Sequence, residues 1–195
     1  LLDLDAWVNW ESFIFRQDVH KEAFTVGLST RFKWNNPESS FHFYTPFQVL
    51  AQHRGGEIDT IMTHSVQTLM NGTVGLGTVW NTGYKVFKSL NLEVDALGYY
   101  QQAGQLWPFE NGYGLYARAS ANIYDFQVKA AYWKCHQFIS MFGNPFYGAV
   151  STVEKGMTFD DPSMIYWGVE YSRVLAKGFS LGVDLDFYNH LPTTL

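Results

Sequence analysis

The chain has 195 residues, enough for one β domain with a sizeable core and too few for more than one or two domains. Eighteen acids against 13 bases give a net charge of −5, which leaves out the basic face that a nucleic-acid partner needs. Aromatic residues make up 18% and charged residues only 16%, well under the roughly 25% usual in soluble domains, yet mean hydropathy is slightly negative, so apolar and polar residues must be interleaved.

The interleaving has period 2 from the first residues onward. Leu2, Leu4, Ala6, Val8, Trp10 and Ile14 share one face of an extended segment, and Asp3, Asp5, Asn9 and Glu11 lie largely on the other. From Ala23 to Trp34 one parity reads Phe24, Val26, Leu28, Thr30, Phe32, Trp34 and the other Ala23, Thr25, Gly27, Ser29, Arg31, Lys33. Phe41, Phe43, Phe47 and Val49 then alternate with His42, Tyr44, Gln48 and Gln52, and Val74, Leu76, Thr78 and Trp80 follow. Leu90, Leu92, Val94 and Ala96 are set against Asn91, Glu93 and Asp95; Tyr113, Leu115, Ala117, Ala119, Ala121 and Ile123 are set against Tyr116, Arg118, Ser120 and Asn122. The last strands use Phe126, Val128, Ala130, Tyr132; then Ile165, Trp167, Val169, Tyr171; then Phe179 to Phe187 opposite Ser180, Gly182, Asp184 and Asp186. These make about nine strands and no amphipathic helix, all within one domain spanning residues 1–195.

Most of the strands run to about 9 to 13 residues, the length a tilted membrane-crossing strand needs, whereas strands of soluble sheets are usually about 5 to 6. Aromatic residues gather at their ends, as in the girdles of transmembrane barrels. No helix crosses the membrane, since the longest uncharged run, Thr60 to Tyr84, is broken by His64, Ser65, Gln67, Asn71 and several glycines. The connections alternate in length: Asn36-Pro37, Tyr124-Asp125 and Lys177-Gly178 fall in short turns of the periplasmic kind. Arg54-Gly55-Gly56 and Gly143-Asn144-Pro145 fall in longer, outward loops.

In such a barrel the polar parity faces the lumen. Asp3, Asp5, Glu11, Arg31, Lys33, Glu93, Asp95, Arg118, Lys129, Glu170, Asp184 and Asp186 are the expected lumen-lining set, because a charge on the lipid face near the midplane costs about 2 to 4 kcal/mol. Catalytic signals are sparse. Six histidines are present, His53 and His64 lying near the same proposed outer loop as Asp59, but no G-x-S-x-G accompanies them. The lone Cys135 allows no internal disulfide, and adjacent Cys135 and His136 point to opposite faces of a strand. Asn71-Gly72-Thr73 fits a glycosylation sequon with no role assigned, and Asp160-Asp161 in the longest loop offers two acids to a calcium ion. No metal or cofactor site is expected.

The runs Leu4-Asp5-Ala6-Trp7-Val8-Asn9-Trp10-Glu11, His53-Arg54-Gly55-Gly56-Glu57-Ile58-Asp59-Thr60 and Tyr132-Trp133, followed by Phe142-Gly143-Asn144-Pro145-Phe146-Tyr147, resemble a family of porin-like outer-membrane β-barrel proteins of Bacteroidota. The resemblance implies a longer protein, with strands before Leu1 and a closing strand after Leu195; nine alternating strands would leave the first and last running in the same direction, so closure calls for such residues, for strands or subunits from another chain, or for a tenth strand within residues 62–70 or 146–153. The sequence therefore reads as an antiparallel up-and-down transmembrane β-barrel of the bacterial outer membrane. Its partners would be outer-membrane lipid and small solutes, its work passive or receptor-assisted solute passage, with no enzymatic step. Two other readings stand beside it: an outer-membrane hydrolase with a rim active site, and a soluble lipocalin-like barrel holding a hydrophobic ligand.

Overall fold

A strand that alternates apolar and polar residues is stable when each of its faces meets a medium of its own kind, and a row of such strands makes a sheet with two unlike faces. The computed structural model describes residues 1–12, 23–36, 38–55, 67–102, 107–141, 147–151, 154 and 156–191. Nine strands form: β1 (Leu2–Ser12), β2 (Ala23–Lys33), β3 (Phe41–Arg54), β4 (Gln67–Asn81), β5 (Phe87–Gln102), β6 (Asn111–Ile123), β7 (Phe126–His136), β8 (Ser163–Ala176) and β9 (Phe179–Leu191). They pair antiparallel in strict chain order in one sheet, the all-β meander that the alternation implies. Among the described residues β1 pairs only with β2 and β9 only with β8, so the sheet is not closed.

The strand ends joined by short connections, including residues 124–125 and 177–178, lie at one end of the sheet, and the ends at Ser12 and Ala23, Arg54 and Gln67, Gln102 and Asn111, and His136 and Ser163, between which the chain is longer, lie at the other. Tyr124 (φ 53°) and Gly178 (φ 80°) take the left-handed conformation that lets a two-residue turn match the twist of its strands.

Hydrogen bonds and ring contacts that skip a strand reveal the curl. Glu11 of β1 accepts from Gln52 of β3 at 2.9 and 3.0 Å, and Tyr44 of β3 reaches Asn91 and Glu93 of β5 at 2.9 and 2.5 Å. Side chains two strands apart meet on a concave face, which we term inner. Tyr44 makes its reach by lying across Gly77 of β4, where an added Cβ would collide with the ring, and Trp133 of β7 lies across Gly114 of β6 in the same way.

The other face is apolar and exposed. Leu4, Val8, Phe47, Val74, Leu76, Leu92, Val94, Leu115, Val128, Ile165, Leu181 and Leu185 all project from it, joined by Trp167 and Phe187, whose rings stack at 4.0 Å and 8°. A continuous apolar band across nine strands is far larger than the patches soluble monomers expose.

The buried core lies on the inner face beneath the β7–β8 connection. Leu69, Tyr99, Trp133, Cys135 and Met164 come from strands, Phe138 and Ile139 from the connection itself. Outside the named strands, Val150 of the β7–β8 connection forms a bridge with Thr158.

Candidate functional site

Strand register puts all twelve charges expected to line a lumen on the inner face. Most are tied to one another. Lys33 pairs with Asp3 at 2.8 Å, Arg118 with Glu93 at 2.6 Å, and Lys129 with Glu170 at 2.9 Å and Asp184 at 3.7 Å. Tyr166 donates its hydroxyl to Asp186 at 2.6 Å, and the Arg31 guanidinium lies 4.6 Å from the centre of the Tyr44 ring. Asp5 stands opposite Ser29. Asp95 stands opposite Gly75 and Tyr116. Glu93 and Asp95 are only 4% and 6% exposed.

The inner face also carries apolar bulk. Tyr147, from the β7–β8 connection, sets its ring near-perpendicular to those of Tyr116 and Trp133 at 5.7 Å, and burial among these rings raises its phenol far above the ordinary tyrosine range, keeping it neutral. A cleft of about 580 Å³ remains between this cluster and β1–β3, walled in part by Trp7, Gln48, Leu50, Thr73 and Leu97, with no charged side chain among the described residues that line it.

Three polar groupings stand at the end where the long connections leave. In the first, a bulge in β1 between Trp10 and Ser12 aims Glu11 inward, where it accepts from the Thr25 hydroxyl and from Gln52. Thr25 is fully buried, so this group pins three strands together and offers no reachable hydroxyl. In the second, His136 Nδ1 lies 3.0 Å from Asp161 Oδ1, and Gln137 donates to Asp160 at 3.2 Å. The two loop acids are thus engaged by side chains, and no cluster of three or more metal-ligating residues forms among the described residues.

The third grouping joins a base to a hydroxyl. Trp10, Phe24, His53 and Thr68 stand side by side on β1 to β4, one register row on the apolar face. The His53 ring packs 5.2 Å from that of Phe24, which packs 5.5 Å from Trp10. His53 Nδ1 is 3.0 Å from Thr68 Oγ1, and both residues are half-buried. With Nδ1 unprotonated, the threonine hydroxyl donates to it, the arrangement that draws a proton from an alcohol as it attacks a carbonyl. Sequence reasoning singled out His53 as a rim histidine but missed Thr68, because only the β3–β4 register joins them. His64 and Asp59 lie outside the described residues.

A base beside an alcohol at the rim of the apolar face is equipment for acyl transfer, and a family model described as Lipid A 3'-O-deacylase-type matches residues 1–194. The chain belongs to that family. No curated protein matches the chain, and no solved structure does. Membership in an enzyme family overturns the expectation of a porin that passes small solutes without a chemical step, and favours the rim hydrolase instead. The inner face, which a pore would leave open to water, carries the buried carboxylates of Glu93 and Asp95 and the apolar bulk of Phe138, Ile139 and Tyr147. The fold is as the alternation implied; the work done on it is not.

Proposed function

We propose that this protein is an outer-membrane esterase that removes an acyl chain held through oxygen at the 3' position of lipid A. Family membership over residues 1–194 carries the reading. The apolar band supports placement in a bilayer, with the twelve inward charges filling the interior of a barrel and the long connections on the side where the substrate's sugar lies. A membrane lipid reaches such a protein from the side, so its esters meet the outer wall near the rim, the level of His53 and Thr68.

There the chemistry is ordinary acyl transfer. His53 Nδ1 takes the Thr68 proton as Oγ1 attacks the ester carbonyl. The tetrahedral intermediate collapses, the sugar hydroxyl leaves with the proton from His53, and the acyl group stays on Thr68. Water, deprotonated by the same histidine, then releases the fatty acid and restores the hydroxyl. Trp10 and Phe24 give the substrate an apolar wall beside the base.

The test is mass spectrometry of lipid A incubated with the purified protein in mixed micelles. Native protein and Thr68→Ser are expected to produce lipid A lighter by one ester-linked chain, while His53→Ala and Thr68→Val lose at least a hundredfold in rate, the scale of general-base catalysis. No release by native protein sinks the esterase reading. Release undiminished in both inactive-site variants sinks the residue assignment alone.

A further inference from the structure

We infer that residues 137–141 and 147–151 of the β7–β8 connection form a plug seated on the inner face, and that Asn71 of β4 is its latch. A connection that left the sheet for water would keep its backbone groups solvated and its apolar side chains few. This one does the reverse: Phe138 and Ile139 are 3% and 4% exposed, and Ala149 is buried with them. Phe138 packs edge-on against Trp133 at 5.3 Å and Tyr99 at 6.5 Å, while Tyr147 reaches Tyr188 of β9 at 6.5 Å, so the plug touches β5, β7 and β9 together.

Backbone polar groups carried into such a place need partners. Asn71 supplies two at once: its amide nitrogen donates to the Ile139 carbonyl at 2.9 Å and its side-chain oxygen accepts from the Met141 N–H at 2.9 Å. That donor-and-acceptor fork reproduces what a neighbouring strand would offer, and among side chains only Asn and Gln carry it. The plug is also internally bonded, with Ala149 N–H donating to Phe138 at 2.7 Å and Phe159 N–H to Ala149 at 2.8 Å, so its pieces hold together once seated. Asn71 is the side-chain tie between the plug and β4, three and four strands away from the plug's own covalent anchors on β7 and β8.

Cys135 reports on the arrangement. It faces inward beneath the plug, 2% exposed, its sulfur 4.0 Å from the Tyr147 carbonyl. The full chain reconstituted in vesicles is treated with a water-soluble maleimide. Native protein is expected to resist labelling until denatured, whereas Asn71→Leu, similar in size but unable to bond either group, is labelled at least tenfold faster while keeping its β-sheet circular dichroism. Gln48→Leu, on the same face but not bonded to the plug, stays at the native rate. Native protein labelled as fast as denatured protein overturns the plug, and a folded Asn71→Leu labelled at the native rate overturns the latch. Should Asn71→Leu fail to fold, the pair Phe138→Ser with Ile139→Ser alters the plug alone: faster labelling supports the proposal and native-rate labelling refutes it.

Discussion

Removing the Arg118 side chain tests whether the inner face is held by a charge that water cannot reach. Glu93 keeps one carboxylate oxygen 2.6 Å from the Arg118 guanidinium and the other 2.5 Å from the Tyr44 hydroxyl, with Asp95 two residues along on the same face. Arg118→Met takes away a charge-assisted hydrogen bond, worth about 1.5 to 3 kcal/mol, and leaves two nearly buried carboxylates facing the same space. Breaking a fully buried pair costs about 3 to 5 kcal/mol; the Arg118 side chain is 41% exposed, which screens the pair, so a loss of about 2 to 3 kcal/mol is expected. The two halves of the pair are unequal. Glu93→Gln leaves a cation that water can hydrate and a neutral amide that still meets Tyr44, for a loss of about 1 kcal/mol. Glu93→Met with Arg118→Met should return to within about 1 kcal/mol of native, since apolar residues replace a buried pair well. Reversible urea unfolding in detergent, followed by tryptophan fluorescence, measures all three. Glu93→Gln proving as damaging as Arg118→Met would refute the claim that the buried anion dominates.

Three further outcomes follow from the two unlike faces. Leu92→Arg on the apolar band should destabilise the protein in a bilayer by about 2 to 4 kcal/mol, while Ser120→Arg on the inner face should cost under about 1 kcal/mol, both read by the same unfolding assay; equal losses would contradict the lipid-facing assignment. Gly77→Val drives a side chain into the Tyr44 ring and should cost about 1 to 3 kcal/mol, whereas Gly72→Val, with open space at its Cβ, should be nearly neutral in the same measurement. Single cysteines placed in Cys135→Ala protein at Val26 and Ser29 should differ in reagent: the first reacts with a bilayer-soluble maleimide, the second with a water-soluble one, and reversed reactivity would turn the sheet inside out.

The two faces were legible because alternation is a property of each strand taken alone. Phe24, Val26 and Leu28 separate from Thr25, Gly27 and Ser29 without any knowledge of neighbours, and the same parity places Glu93, Arg118 and Lys129 together once strands pair in order. What depends on register or return of the chain was not legible. Thr68 meets His53 only because β4 begins at Gln67 in register with Arg54 of β3. Asn71 stood in an uncharged stretch as a break in hydropathy and as part of a sequon, with nothing to say that residues 139 and 141 would come back to it across the sheet. Phe138 and Ile139 lay in the longest connection, where apolar residues carry no periodicity to reveal their burial. The proposed reaction was invisible for the same reason: a histidine and a threonine on neighbouring strands leave no linear motif.

Strict chain order has a consequence for how the protein is made. Among the described residues each strand pairs with the ones synthesised immediately before and after it, so none of the pairings from β1 to β9 waits on a distant segment and each hairpin can lodge against the last. The two-residue reversals at 124–125 and 177–178 cost the least entropy to close, which makes β6–β7 and β8–β9 the natural seeds of assembly. The connection between those seeds is also the one that folds back onto the inner face. Because its described residues contact β4, β5 and β9 as well as their own anchors, they can take their seat only once those strands stand in place.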